Sequence, residues 1–272
     1  LRRAGQQRIG VDADGDNTWT IQLGTTGQDN ATGVAVDAAG SVYIAGGVDG
    51  NLSGPSLGDT DVFLAKYDAD GNEIWTTQTG TAEKDYASDI IVDPDGNIYI
   101  SGHTEGELGL VHAGEKDAFL AKFNPDGDFL WATQIGTSGM DMATAIALDV
   151  SGDLYICGFT NGDLAGTNSG NADIFLAKFD TDGNEKWIAQ LGTAEEDQAY
   201  SLALDTEGTI YLAGRTEGDL DGDNAGGSDA FLMKLVPPGT SGEQTQQAEQ
   251  PEEATQPDAG PAETVTESET SE

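Results

Sequence analysis

One cysteine, Cys157, stands among 272 residues, so no disulfide can form within the chain. None is needed, because a globular part of this size buries roughly 70% of the surface its unfolded chain would expose. No run of about 18 apolar residues occurs, so no membrane-inserted helix is expected. The chain opens on LRRAGQQ rather than on a leader with an apolar centre, which reads as a start within a protein or after processing. Basic residues are scarce too: 11 Lys and Arg face 49 Asp and Glu, for a net charge of −38. Nucleic acid backbones and anionic lipid surfaces would be repelled, while a well-solvated surface, cationic partners or divalent cations fit. There are only two histidines, and no serine elbow, phosphate loop or HExxH motif.

Glycine is abundant, at 38 residues, which favours turn-rich β structure. The four tryptophans, Trp19, Trp75, Trp131 and Trp187, are each 56 residues apart. Gln22, Gln78, Gln134 and Gln190 keep the same spacing, as do Gly24, Gly80, Gly136 and Gly192 and also Asp29, Asp85, Asp141 and Asp197. One structural unit is therefore used four times. Its strands read GVAVD, SVYIAG, DVFLAKYD and EIWTTQTG, rich in β-branched and aromatic residues with turn chemistry between them. The first two are nearly continuous in apolar residues, as sheets covered on both faces require. The predicted fold is all-β: a propeller of four four-stranded blades at 32–80, 88–136, 144–192 and 200–236. The last copy is one strand short, and TWTIQLG is a fourth strand with no first three before it. Residues 17–24 are thus predicted to close the ring on blade four, removing two exposed sheet edges. A lead-in over 1–16 precedes the propeller. The tail from 237 to 272 holds nine acidic residues, no basic ones and no aromatics, so it is expected to be disordered; without it the charge is still −29.

Segments such as SDIIVDPDGNIYISGHTEG and KDAFLAKFNPDGDFLW, within 32–235, resemble the bacterial seven-bladed β-propeller repeats called SBBP. The resemblance implies a secreted or surface-attached bacterial protein of largely unassigned activity. The copy number departs from it, with four units rather than seven.

Asp68, Asp70 and Asn72 alternate as the first ligands of an EF-hand do, but glycine falls at the fourth place rather than the sixth and Thr79 stands where a bidentate glutamate belongs. Asp68 to Gly71 instead fits a hairpin turn with glycine at positive φ, as do Asn124 to Gly127 and the other hairpins. The tryptophan that follows is expected to cover surface between neighbouring blades. The two long connections of each unit, such as 80–88 and 103–116, vary most between copies and should emerge on one face, where binding specificity usually resides.

On that face Asp219, Asp221 and Asp223 alternate and are the candidate calcium ligands; their counterparts in other copies are not acidic as a set. His103 and His112 lack a third nitrogen or sulfur ligand for zinc. The recurring Lys66, Lys122, Lys178 and Lys234 are expected to pair with Asp61, Asp117, Asp173 and Asp229. Cys157, aligned with Ala45, Ser101 and Ala213, reads as a small buried filler. YDADGNEIWTTQTG also looks like the tryptophan-docking repeat of quinone-dependent dehydrogenases, but that family's adjacent cysteine pair is absent. The expectation is a noncatalytic, monomeric binding or scaffold module, extracellular or on the bacterial surface, taking a protein or carbohydrate ligand on the long-loop face. A calcium-stabilised adhesion module and a propeller enzyme, quinone-dependent or acting on polysaccharide, are the alternatives.

Overall fold

The computed structural model describes residues 19–109 and 112–236. The expected lead-in 1–16, residues 17 and 18 of the expected closing strand, and the tail 237–272 lie outside them. Three sheets have four antiparallel strands and a fourth has three. The first sheet is β1 (Asp29–Val36), β2 (Val42–Val48), β3 (Asp61–Tyr67) and β4 (Glu73–Thr79). The second is β5 (Asp85–Val92), β6 (Ile98–Thr104), β7 (Asp117–Phe123) and β8 (Phe129–Ile135). The third is β9 (Asp141–Leu148), β10 (Leu154–Thr160), β11 (Asp173–Phe179) and β12 (Glu185–Leu191). The fourth is β13 (Asp197–Leu204), β14 (Ile210–Thr216) and β15 (Asp229–Leu235). Strands follow chain order within each sheet, so every sheet is a meander. The first strand of each blade begins at an aspartate, three residues ahead of the expected blade start.

Consecutive hairpins turn on the expected glycines. Gly71 sits at φ 77 and Gly127 at φ 85, a region open to glycine because it has no β-carbon. Gly71 N donates to Asp68 O at 3.0 Å, and the Asp68 carboxylate accepts from the amides of Asp70 and Asn72. The acidic turn is thus a self-bracketed hairpin.

Blades pack in series. The trailing face of blade one, with Tyr43, Ala45, Val62 and Leu64, meets Ile90, Ile98, Phe119 and Phe123 of blade two in one buried cluster. The same positions recur between blades two and three and between blades three and four. The first strands β1, β5, β9 and β13 contact one another in sequence and form the inner side of this propeller-like array. In each first strand one residue, Thr32, Ser88, Thr144 or Tyr200, is bulged out of the pairing. Thr32 and Thr144 use the bulge to donate their hydroxyls to Ala87 O and Ala199 O of the following blade, at 2.7 and 2.8 Å.

Among the described residues the predicted closure by the N-terminal strand is not formed. β15 pairs with β14 alone among the described strands, and residues 19–25 join no sheet. Trp19 instead rests on blade one, its indole donating to Ala69 O at 3.2 Å and its ring lying against Gly71. Trp75 does the same to blade two, with Nε1 to Pro125 O at 3.3 Å and the ring against Gly127. The segment therefore sits where the outer strand of a blade ahead of blade one would sit, while β1 and β13 do not pack as the adjacent first strands do.

Candidate functional site: the bracketed loop face

Two loops per blade meet at the end opposite the Asp-x-x-Gly hairpins. The loop before β3 runs into the start of the next blade: Asp85 N donates to Thr60 O at 2.8 Å, and Glu105 N to Lys84 O at 2.8 Å. Equivalent bonds join Asp141 to Lys116 and Asp197 to Ala172. Each junction is then held by two buried carboxylates.

The first begins the third strand. Asp61 is fully buried, and its Oδ2 accepts from Gln78 Nε2 at 2.6 Å and from Leu57 N at 2.9 Å. Gln78 in turn accepts from Leu52 N and donates to Gly50 O, so one side chain from the outer strand ties both ends of the loop. Asp117 with Gln134 and Asp173 with Gln190 repeat the bracket. The second carboxylate begins the first strand of the following blade: Asp85 Oδ2 accepts from Thr81 N at 2.6 Å and Thr81 Oγ1 at 2.9 Å. Asp29, Asp141 and Asp197 bind Thr25, Thr137 and Thr193 alike. Carboxylates bonded to backbone amides in a dry setting fix loop geometry strongly.

The glycines that share the tryptophan spacing make room for these groups. A β-carbon at Gly80 would come within 2.6 Å of Asp61 Oδ1 and 2.8 Å of Asp85 Oδ2. At Gly136 and Gly192 it would meet Asp117 and Asp173, and at Gly24 it would meet Asp29. Among the described residues no lysine or arginine forms an ion pair with these aspartates, so the expected partnership of the recurring lysines with Asp61, Asp117, Asp173 and Asp229 is not seen. Pairing register explains why, since Lys66 lies opposite Tyr43 while Asp61 lies opposite Val48, at the other end of β2. Each lysine caps the repeat tyrosine instead, Lys66 at 4.8 Å from the Tyr43 ring centre and Lys178 at 4.7 Å from that of Tyr155. Lys178 also bridges Asp149 and Asp153.

Burial raises the Asp85 and Asp141 carboxyls above their ordinary range, and the neighbouring Asp61 and Asp117 charges push the same way. An acid raised in the folded state favours folding while protonated and loses that advantage as pH climbs through its folded-state value. Relative to Asp141→Asn, the wild type should therefore lose stability as pH rises from about 4 towards 7. Denaturant titrations of both proteins across that window test this; a constant difference would contradict it.

The candidate calcium trio is not assembled. Asp219 accepts from Asn224 N at 2.8 Å, the same loop brace that Asn51 provides to Ser56 N and Asp163 to Asn168 N. An amide serves as well as a carboxylate there, so the side-chain oxygen of Asp219 acts as a turn brace. Asp221 and Asp223 are exposed, and among the described residues no group of three His, Cys, Asp or Glu side chains converges on a metal position. The histidines are also separated in role: His103 is buried and stacked on Tyr86 at 5.2 Å, with burial lowering its pKa to about 4, whereas His112 faces Asp117 at 3.4 Å. Cys157 is buried in the core, its thiol pushed up to about 12 by burial.

Tandem antiparallel meanders, packed face to face around their first strands, form an all-β, propeller-like array. Residues 74–109, 130–165 and 186–221 match the SBBP beta-propeller repeat in three tandem copies. It is similar to the regulatory protein FlaEY of Caulobacter vibrioides, 28% identical over 66% of this chain and 21% of that protein. It is also similar to the uncharacterized WD repeat-containing protein L264 of Acanthamoeba polyphaga mimivirus, 20% identical over 76% of this chain and 19% of that one. The chain thus spans a minor part of the curated relatives it matches. Among solved structures, a gluconolactonase from Xanthomonas campestris aligns over 76% of this chain and 62% of its own, at 16% identity and a TM-score of 0.42.

Proposed function

We propose that this chain is a noncatalytic binding or scaffold module, working outside the bacterial cell or on its surface through the bracketed loop face. The observation that carries the reading is the contrast between brackets and loops. Asp61, Gln78 and Asp85 and their counterparts repeat without change in the complete blades, while the loops they hold read GVDGNLSGPSLGDT, HTEGELGLVHAGEK and FTNGDLAGTNSGNA. A constant frame presenting variable, solvated loops is how a fold displays recognition surface. The strong negative charge argues for a protein or carbohydrate partner rather than nucleic acid. The extracellular setting rests on the SBBP repeat itself.

A carbohydrate array and an immobilised bacterial surface-protein extract test the reading. Glu105→Lys with Glu107→Lys on the loop face should reduce binding at least about tenfold, whereas Asp70→Lys with Asp126→Lys in the hairpins of the other end should leave it within about twofold. The reverse pattern would overturn the assignment.

A further inference from the structure

The trailing face of blade four carries the residues that are buried between blades everywhere else in the molecule. Leu64, Leu120 and Leu176 are at most 1% exposed; their counterpart Leu232 is 77% exposed. Ahead of blade one the mirror situation holds: Ile90 and Ile146 are 2% and 4% exposed, and the equivalent Val34 is 65% exposed. Two complementary halves of an interface that the chain makes three times over are thus left uncovered.

The edge of β15 adds a second, more specific vacancy. In the other blades the outer strand supplies the glutamine that accepts from the leucine amide of the loop, as Gln78 does for Leu52 and Gln190 for Leu164. Blade four has no such strand among the described residues, and a groove of about 450 Å³ lies there, lined by Leu220, Asp229, Phe231, Leu232 and Lys234. Asp229 retains its backbone bond from Ala225 but has no glutamine partner. The side chain at the matching repeat position is Gln22, which is exposed and makes no hydrogen bond among the described residues.

We propose that blade four of one chain receives residues 19–24 and the leading face of blade one of a second copy of this chain. The segment is already seated against its own blade one, through Trp19 on Gly71 and Thr25 on Asp29 and Asp49, in the pose an outer strand of the preceding blade takes. A second chain's blade four, docked ahead of blade one, completes that preceding blade. Transferring the register of β3 and β4 sets Gln22 opposite Phe231 and Leu23 opposite Ala230. Docking a second copy leaves all three internal junctions as they are. Closure by the same chain would bend every one of them, against clusters whose core residues are nearly all buried to within a few per cent.

The test mixes two full-length variants, Leu23→Cys and Ala230→Cys, under a mild oxidant. The mixture should give a disulfide-linked species of twice the 28.2 kDa chain mass, and either variant alone should not. Light scattering of the wild type should show self-association, and Leu232→Asp should raise its dissociation constant at least about tenfold. Because Leu232 is exposed in the single chain, that variant should keep the wild-type unfolding midpoint at a concentration too low for self-association, which separates lost docking from lost folding. A wild type that stays at one chain mass, or a crosslink that forms only inside a chain carrying both cysteines, would overturn the proposal.

Discussion

Phe175→Ala is expected to lower unfolding free energy by about 3–5 kcal/mol, the range for truncating a fully buried aromatic ring. Phe175 is 0% exposed and lies in the cluster where Tyr99, Ala118 and Leu120 of blade two meet Ile146, Leu154 and Ile156 of blade three. The lost ring leaves a void that the surrounding strands are poorly able to fill, because both sheets are tied to the brackets at one end and to hairpins at the other. Phe231, its counterpart in blade four, is only half-buried, since no outer strand covers it among the described residues. At a chain concentration too low for self-association, Phe231→Ala should therefore cost clearly less, by roughly half. Urea unfolding followed by tryptophan fluorescence checks the pair; equal losses would show that blade four is covered in solution as completely as blade three.

That asymmetry bears on how repeat proteins hold together. Each blade contacts only its neighbours, so stability is close to a sum of blade and junction contributions, and an uncovered terminal blade is the weakest member. Blade four combines the exposed Leu232 with a β15 whose side chains are at most half-buried, whereas β10 is buried along its whole length. Local opening should begin there.

The repeat, the strand order and the hairpin turns were legible in the sequence because each depends on local chemistry: alternation of strand and turn residues, and glycine where φ must be positive. The constancy of Asp61, Gln78 and Asp85 across copies was legible as well, but their partners were not. Opposite charge suggested lysine for Asp61, yet pairing register separates the two along the sheet by most of a strand, a distance that composition does not reveal. The role of Asp219 was hidden for a related reason: an Asx brace and a metal ligand use the same side chain, and only the structure shows its carboxylate accepting from the amide of Asn224. Closure depends on geometry of longer range. The N-terminal segment has the composition of an outer strand and takes the pose of one, but the angle between successive blades is a property of packed faces rather than of any single residue.

One further constant was printed in every copy and shows its meaning only beside the bulges. Gly46, Gly102, Gly158 and Gly214 share the 56-residue spacing and each lies beside the bulged residue of the first strand. A β-carbon on Gly158 would lie 1.8 Å from Met142 O and 2.9 Å from its carbonyl carbon, a clash with backbone rather than with a movable side chain. To admit a methyl group β9 and β10 must part, and the bulge that carries Thr144 into blade four would shift with them. Gly158→Ala is accordingly expected to lose about 3 kcal/mol or more, at the upper end for overpacking in a close-packed interior. Gly166 offers the control, since nothing lies within 4 Å of its β-carbon position and its φ lies outside the positive range, so Gly166→Ala should stay within about 0.5 kcal/mol of wild type. Thermal unfolding of the two variants separates a steric requirement for glycine from a general preference for it: a Gly158→Ala protein as stable as Gly166→Ala would mean that the first two strands of a blade slide apart without cost, and that the bulge is not what sets the step from one blade to the next.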